Sequence, residues 1–273
     1  MAAQLAPPRT SSSMPTAPAL DVGIDRLGRT FGSGAGARTV LRDVDLRVRA
    51  GEVVAILGAS GCGKSTLLRL AAGLDAPTAG RVTIAGSGVV GFDPRCAVAF
   101  QEPRLLPWRT IADNVAVGLP RGTGAREGRH LVEELLDVVG LGDFARHRPR
   151  EVSGGMAQRA SLARALARRP GVLLLDEPFG ALDALTRLKM QDLLIDVHDR
   201  APTTVLLVTH DVDEALQLAD RVVVLGAEPG RDGATVTRVL DVPGTRPRSR
   251  SSAELGALRT SLLKTLGVDS HDR

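Results

Sequence analysis

Apolar and polar residues alternate over the first part of the chain as they do in half-buried β-strands. The alternation runs from Leu20 to Leu27 and again from Val40 to Val48, which predicts two strands. Residues 28–38 between them are rich in glycine and predict a loop that contains Phe31. A short, wholly apolar stretch at residues 53–57 predicts a third, buried strand. The chain therefore begins as a β-rich domain.

The periodicity changes to a helical one from Glu102 to about Arg169. Apolar residues at helical spacing predict helices over residues 110–119, 128–139 and 154–168. The uniformly apolar run 172–176 then predicts another buried strand, after which helices and strands alternate. The expected fold is α/β, with a mixed sheet and a helical subdomain, about 102–169, inserted between two of its strands.

Composition along the chain suggests where the folded domain begins and ends. Residues 1–20 are rich in Ala, Pro and Ser and predict a disordered tail rather than a signal peptide. Residues 21–243 predict the folded domain, although residues 227–250 show little strand character. Residues 244–273 predict a C-terminal tail with a short helix at 253–266.

A glycine-rich loop between the strand 53–57 and a helix-forming run carries the first chemical signal. Its spacing, G-x-x-x-x-G-K-[ST], is that of a phosphate-binding loop, in which backbone N–H groups and a helix N-terminus face one phosphate chain. Lys64 is expected to reach the β- and γ-phosphates, and the Ser65 hydroxyl to ligate Mg²⁺. The nucleotide-binding residues predicted here are Gly58, Ala59, Ser60, Gly61, Cys62, Gly63, Lys64, Ser65 and Thr66.

The predicted strand over residues 172–176 ends in two acids, since Asp176 is its last residue and Glu177 comes directly after it. In an open α/β sheet the carboxyl ends of the strands present the ligand site. We expect Asp176 to hold Mg²⁺, directly or through water, and Glu177 to polarise an attacking water. Solvated acids at a strand end are the alternative, but the phosphate loop upstream favours the chemical roles.

Overall composition narrows the function classes. The chain has 273 residues, a net charge of +4 and only two cysteines, which fits a domain without disulfides in a reducing compartment. No apolar run approaches the roughly 18–20 residues that a membrane helix needs. The chain has one Trp and no Tyr, so few aromatic side chains are available to stack on nucleic-acid bases.

The segment Val152–Arg159, just before the acidic strand, reads Val-Ser-Gly-Gly-Met-Ala-Gln-Arg. It resembles the signature of ABC-type ATPases. Further marks follow in the family's order: Gln101 after an apolar strand, Gly-Ala-Leu-Asp at 180–183, and His210 after a strand. The resemblance covers residues 21 to about 240.

The resemblance implies roles around the chain's own ATP. Gln101 would touch Mg²⁺ or the attacking water, Glu177 would be the catalytic base, and His210 would contact the γ-phosphate. The family usually stacks a Tyr on adenine; this chain has none, and Phe31 is the candidate in the right loop.

The resemblance also implies a homodimer. Ser153 and Gly155 would cap the γ-phosphate of ATP bound to a second copy, since free N–H groups open the helix there. Asp183 would bridge the two copies. Met156 stands where the family usually has Gln, and the alternative for this turn is a plain helix N-cap.

The segment Gln101–Trp108, followed by Asn114-Val115, resembles the nitrate/sulfonate/taurine importer branch. Residues 181–193 and 206–212 look most like aliphatic sulfonate importers. The resemblance implies an ATPase that works with two transmembrane permease subunits and, indirectly, an extracytoplasmic solute-binding protein. It would sit peripherally on the cytoplasmic face of the cell membrane.

An ABC-type ATPase associated with nucleic acid or the ribosome is the main alternative. Translation ATPases of this type normally carry two cassettes in one chain. DNA-maintenance ATPases need a long coiled coil, and no sustained heptads occur between Gln101 and Ser153. A nucleotide-binding scaffold without turnover is disfavoured by Glu177 and His210. The resemblance implies no nucleic-acid partner.

Overall fold

The computed structural model describes residues 18–267. Within this range, ten strands form one sheet and seven α-helices accompany it. The strands are β1 (Val22–Phe31), β2 (Arg38–Val48), β3 (Val53–Leu57), β4 (Ala79–Ile84), β5 (Ser87–Gly88), β6 (Cys96–Ala99), β7 (Val172–Asp176), β8 (Thr204–Val208), β9 (Arg221–Ala227) and β10 (Ala234–Asp241). The helices are α1 (Lys64–Ala71), α2 (Ile111–Ala116), α3 (Ala125–Val138), α4 (Gly154–Ala167), α5 (Ala184–Arg200), α6 (Val212–Leu218) and α7 (Ala253–Thr265).

The sheet has a parallel part and an antiparallel part, in the order β5-β4-β1-β2-β10-β9-β3-β8-β7-β6. Strands β9, β3, β8, β7 and β6 run parallel, and β5, β4, β1 and β2 pair antiparallel. Every residue of β3, β7 and β8 is buried, because this part of the sheet is covered on both faces. The carboxyl ends of β6, β7, β8 and β3 therefore meet at one edge.

Strand β3 shows how the two faces are filled. Val53, Ala55 and Leu57 point into the core that contains α4 to α6, whereas Val54 and Ile56 point into the core around α1. The period of two along a strand accounts for this division. The apolar run that predicted a buried strand thus serves two cores at once.

Helices α2, α3 and α4 lie between β6 and β7 in the chain and pack on one another. This confirms the predicted fold class, a mixed sheet with a helical insertion between the Gln101 strand and the Asp176 strand. Among residues 18–267, none of the helices combines the length and the apolar composition needed to cross a bilayer.

Two local expectations were wrong. Phe31 is the last residue of β1, paired with Arg38 of β2, and does not lie within a loop over residues 28–38. Residues 234–241 form the full strand β10, between β2 and β9, where the sequence showed little strand character. Both segments are half exposed, so their polar residues masked the strand pattern, and backbone pairing with β2 and β9 decided the structure.

The chain ends differ from simple tails. Most of the predicted tail 1–20 lies outside the described residues, but the Leu20 N–H donates to Gly171 at 3.2 Å. At the other end, Arg246 donates to the Leu218 carbonyl at 2.8 Å and α7 packs on α6. The part of segment 244–273 that the structure describes is therefore joined to the domain.

Arg248 is the strongest of these C-terminal attachments. Its guanidinium is buried, and burial lowers its pKa. It donates to carbonyl oxygens of the last turn of α6, which lack partners within the helix, and of the segment after β10. The accepting carbonyls, at 3.0–3.4 Å, belong to Leu216, Gln217, Val242, Pro243 and Gly244.

Replacing this guanidinium should destabilise the domain. We expect Arg248→Ala to lower the free energy of unfolding by about 2–4 kcal/mol, since it strands several buried carbonyls. Arg250→Ala is the matched control, because exposed Arg250 makes one side-chain bond, to Gln191 at 3.0 Å. Urea denaturation followed by circular dichroism measures both; equal, small losses for the two variants would contradict the role of Arg248.

Candidate active site

The phosphate loop joins β3 to α1 in the expected strand–loop–helix arrangement. Gly61 and Gly63 have φ angles of 76° and 106°, in the left-handed region that favours glycine. A Cβ at Gly63 would also lie 2.8 Å from the Leu41 side chain. Backbone conformation therefore favours glycine at both positions and space requires it at Gly63, and the N-terminus of α1 is left facing the loop.

Lys64 is buried at the first turn of α1. Its Nζ donates to the carbonyl oxygens of Gly58 at 2.8 Å and Ala59 at 3.0 Å. These bonds hold the ammonium over the hollow of the loop. Phosphate oxygens are anionic and form stronger, charge-assisted hydrogen bonds with such a group.

Ser65 and Asp176 meet between α1 and the end of β7. The Ser65 hydroxyl donates to Asp176 Oδ1 at 2.8 Å. Burial raises the pKa of Asp176, and the hydrogen bond from Ser65 acts in the opposite direction. A buried carboxylate that loses solvation is stabilised in its charged form by a cation.

This donor set fits Mg²⁺. A hydroxyl and a carboxylate are hard oxygen ligands, and Mg²⁺ is commonly held by one or two carboxylates together with substrate phosphates. Within residues 18–267 there is no group of three or more His, Cys, Asp and Glu side chains arranged for a metal. A metal at Ser65 and Asp176 would therefore take its remaining ligands from phosphate, water or the Gln101 amide oxygen.

Gln101, Glu177 and His210 converge beyond the ends of three neighbouring strands. Gln101 follows β6, Glu177 follows β7 and His210 follows β8. The Gln101 Nε2 donates to Glu177 Oε2 at 3.2 Å, and His210 Nδ1 lies 3.3 Å from the same oxygen. Gln101 precedes Glu177 by 76 positions, and His210 follows it by 33. They meet at the Glu177 carboxylate because β6, β7 and β8 are parallel neighbours in the sheet.

Glu177 also has an unusual backbone. Its φ angle is 47°, in the left-handed region that glutamate rarely adopts, and its N–H donates to the Val208 carbonyl at 2.9 Å. Such a conformation costs on the order of 1–3 kcal/mol and concentrates at functional sites. The strain turns the side chain away from Asp176 and toward Gln101 and His210.

A buried network supports the His210 turn and was not predicted from the sequence. Thr209 Oγ1 donates to Glu214 Oε2 at 2.6 Å and accepts from the Asp211 N–H at 3.0 Å. Burial raises the pKa of Glu214. The one feature of the sequence that could have indicated this network is Glu214, an acidic residue four positions after His210, on the first turn of α6.

Lys64, Ser65, Gln101, Glu177 and His210 line one cleft of about 660 Å³, a size common for small-molecule sites, whereas Asp176 lies behind Ser65 and is not part of the lining. Phe31 lies in the same cleft, so the structure brings it to the phosphate loop. Arg38 and Val40, which the sequence did not indicate, also line it; the hairpin register that pairs Phe31 with Arg38 explains their presence.

Ser153, Gly155 and Asp183 do not line this cleft. The Ser153 hydroxyl accepts from the Met156 N–H at 3.2 Å, so it caps α4 as the structural alternative predicted. Asp183 caps α5 by accepting from the Thr186 N–H at 3.0 Å, and hydrogen bonds with Thr186 lower its pKa. The three residues begin two helices outside the chain's own nucleotide cleft.

Comparison with known proteins gives a consistent result. The ABC transporter family matches residues 41–180. The chain is 49% identical, over 94% of its length and 90% of the relative, to "Aliphatic sulfonates import ATP-binding protein SsuB 2" of Burkholderia lata. It is 48% identical to SsuB 1 of Xanthomonas axonopodis pv. citri, covering 86% of this chain and 93% of that protein.

A solved structure shares the fold. The dimeric post-hydrolysis state of the ATP-binding cassette MJ0796, bound to ADP and Pi, superposes with a TM-score of 0.73 at 33% identity. The match covers 82% of this chain and 100% of that one.

The loop lysine gives a direct test of the cleft. Lys64→Ala should weaken binding of a nucleoside triphosphate at least about 30-fold, because a charged hydrogen-bonding partner of the phosphates is removed. Titration with a fluorescent ATP analogue measures the affinity. Exposed Lys189 of α5 provides the control, and equal affinities for Lys64→Ala and Lys189→Ala would contradict the assignment.

Proposed function

The chain belongs to the ABC transporter family of ATP-binding proteins, and from that premise we propose that it hydrolyses ATP to drive import of aliphatic sulfonates through separate membrane permease subunits. The observation that carries the chemistry is that Gln101 and His210 both contact the same carboxylate oxygen of Glu177, Oε2, beside the phosphate loop. The substrate class comes from the relatives, several of which are named aliphatic sulfonate importers.

In the proposed reaction the phosphates lie in the loop, with Lys64 on the β- and γ-phosphates. Ser65 and Asp176, with Gln101, would hold Mg²⁺, which neutralises phosphate charge when bound. The backbone N–H groups of Gly61 and Gly63 face the same phosphates. The lysine and these amides thus hold the charged end of the substrate in place.

Glu177 acts as the base on the attacking water. The water oxygen bonds to the γ-phosphorus, the bond from that phosphorus to the bridging oxygen breaks, and ADP and phosphate leave; the water proton passes to Glu177. Gln101 and His210, at 3.2 and 3.3 Å from Oε2, orient the carboxylate. His210, whose side chain is largely exposed, also contacts the γ-phosphate.

Closure of the site needs a second copy. The start of α4 is exposed at Ser153 and Gly154, and its N-terminal N–H groups and hydroxyl offer an anion site that the chain's own cleft does not use. In the proposed homodimer, Ser153 and Gly155 cap the γ-phosphate of ATP on the other copy, and Asp183 bridges the copies. The dimeric cassette among the similar structures supports this arrangement.

The segment after Gln101 offers a surface for the permease. Trp108 is 69% exposed there, and exposed Phe92 and Val117 line a separate groove together with Phe100, the residue before Gln101. Buried Asn114 holds the segment by accepting from the Leu106 N–H at 2.7 Å and donating to the carbonyls of Leu106 and Thr110. A fixed loop that exposes a large aromatic side chain suits a partner helix.

This partnership implies a peripheral location on the cytoplasmic face of the cell membrane and a solute-binding protein that delivers substrate to the permease. A taurine- or nitrate-type solute is the alternative substrate. The relatives are named import subunits, so they do not favour an ABC ATPase that serves nucleic acid or the ribosome.

Replacement of the base separates binding from turnover. Glu177→Gln should retain ATP binding, lower kcat at least ~100-fold and trap a dimer that forms only with ATP, because the amide cannot accept the water proton. Phosphate release and size-exclusion chromatography measure the two effects. Exposed Glu228 supplies the control variant Glu228→Gln; a Glu177→Gln protein that turns over at the parental rate would exclude this residue as the base.

The transport assignment is tested in proteoliposomes that hold this chain and its permease subunits. An aliphatic sulfonate with the solute-binding protein should stimulate ATP hydrolysis several-fold and enter the vesicles, whereas nitrate should not, since only the delivered solute triggers the ATPase. If nitrate stimulates ATP hydrolysis and the sulfonate does not, the proposed substrate class is wrong. If the rate of hydrolysis does not depend on the permease subunits, the proposed coupling to import is wrong.

A further inference from the structure

Phe31, the proposed adenine platform, is covered on one side by an arginine. Arg29 and Phe31 are two positions apart near the end of β1, where the pairing with β2 is irregular. The guanidinium carbon of Arg29 lies 4.2 Å from the centroid of the Phe31 ring, within cation–π range. Phe31 lines the nucleotide cleft, whereas Arg29 is not among the residues that line it.

Arg29 is itself held by an acid. Its Nε and Nη2 donate to the two carboxylate oxygens of Asp75 at 2.9 and 2.8 Å, a bidentate pair. The side chains of Arg29 and Asp75 are only 20% and 21% exposed, which limits screening by water. This geometry is more restrictive than that of an ordinary surface ion pair.

Asp75 lies in the loop directly after α1, the helix that begins with Lys64. The same loop holds β1 a second time, because the Thr30 N–H donates to Thr78 Oγ1 at 3.0 Å. One helix therefore positions groups at both ends of the nucleotide cleft: the phosphate-binding lysine at its start and, through Asp75 and Arg29, the aromatic ring.

An aromatic ring at the end of a strand needs such support. Phe31 is 41% exposed, so part of its side chain is free of protein contacts. A cation on one face holds the ring and leaves the opposite face for stacking. Stacking on a base gains most when the ring is held in place before binding.

We propose that Arg29 and Asp75 are positioning residues for the nucleotide base: Asp75 fixes the guanidinium, and the guanidinium fixes the Phe31 ring for stacking on adenine. The proposal rests on the proposed ATPase function and on the assignment of Phe31 to the adenine base that the sequence resemblance implies. It extends the site by two residues that touch neither phosphate nor metal.

The first experiment separates base recognition from phosphate recognition. Arg29→Ala should weaken ATP binding about three- to tenfold, the scale of a lost cation–π contact and a less ordered stacking ring, and leave kcat within about twofold. Inorganic tripolyphosphate, which has no base, should bind the variant and the parent equally. Competition against a fluorescent ATP analogue measures both ligands.

The matched control is Arg81→Ala. Arg81 pairs with Asp25 at 3.4 Å on the same sheet but is largely exposed and far less enclosed than Arg29. Arg81→Ala should change neither the affinity for ATP nor the affinity for tripolyphosphate. Arg29→Lys should restore part of the ATP affinity, since an ammonium retains the cation but not the bidentate fork.

A double-mutant cycle identifies the route of the effect. In a Phe31→Ala background, Arg29→Ala should weaken ATP binding no further, because its action passes through the ring. Asp75→Asn should reproduce the Arg29→Ala effect in the parent and also vanish in the Phe31→Ala background.

Three outcomes would overturn the proposal. Equal loss of tripolyphosphate and ATP affinity in Arg29→Ala would show a general structural role. Additive losses in the double variant would show that Arg29 does not act through Phe31. If Phe31→Ala weakens ATP binding but Arg29→Ala does not, this inference fails alone; if Phe31→Ala has no effect, the proposed base platform fails and this inference with it.

Discussion

The alignment of four neighbouring parallel strands is the constraint on which the site depends. Strands β6, β7, β8 and β3 all end at the same edge, so whatever follows each strand meets there. Gln101, the Asp176-Glu177 pair, His210 and the phosphate loop occupy those four ends. Because each strand is buried, shifting one by a residue would exchange its two core faces, and this fixes the register. The core thereby sets the position of the chemistry, although no core residue takes part in it.

The charged side chains at this edge differ in how deeply they are buried. Asp176 is buried and Lys64 is buried close by, whereas Glu177 is turned outward by its left-handed backbone. Two adjacent acids on an extended strand would already point apart; the strain at Glu177 directs one of them to the Gln101 and His210 side chains. In the proposed reaction, one acid meets the metal and its neighbour meets the water. Separate surroundings thus allow two carboxylates to perform different tasks.

The elements that the sequence predicted are those determined by neighbouring residues. The phosphate loop is contiguous, β3 is apolar throughout and β7 is apolar up to its final Asp176, so motif and hydropathy sufficed for them. Strand β10 and the end of β1 were missed because their strand character depends on backbone pairing with β9 and β2 rather than on their own residue pattern. Arg29 meets Asp75 across 46 positions, and no local pattern encodes such a contact. The solute touches no residue of this chain in the proposed arrangement, so only resemblance could indicate it.

Helix α4 connects the parts of the chain that face different partners. Its first residues are the proposed cap for a second copy's ATP. Farther along, Gln158 donates to the Phe100 carbonyl at 3.0 Å, beside Gln101, and Arg164 donates to the carbonyls of Pro103 and Arg104 at 2.7 and 2.9 Å. The segment proposed to meet the permease is thus bonded to the helix proposed to meet the other copy. These hydrogen bonds end at Phe100, Pro103 and Arg104, on either side of Gln101, so we expect a displacement of either surface to shift the backbone that carries Gln101.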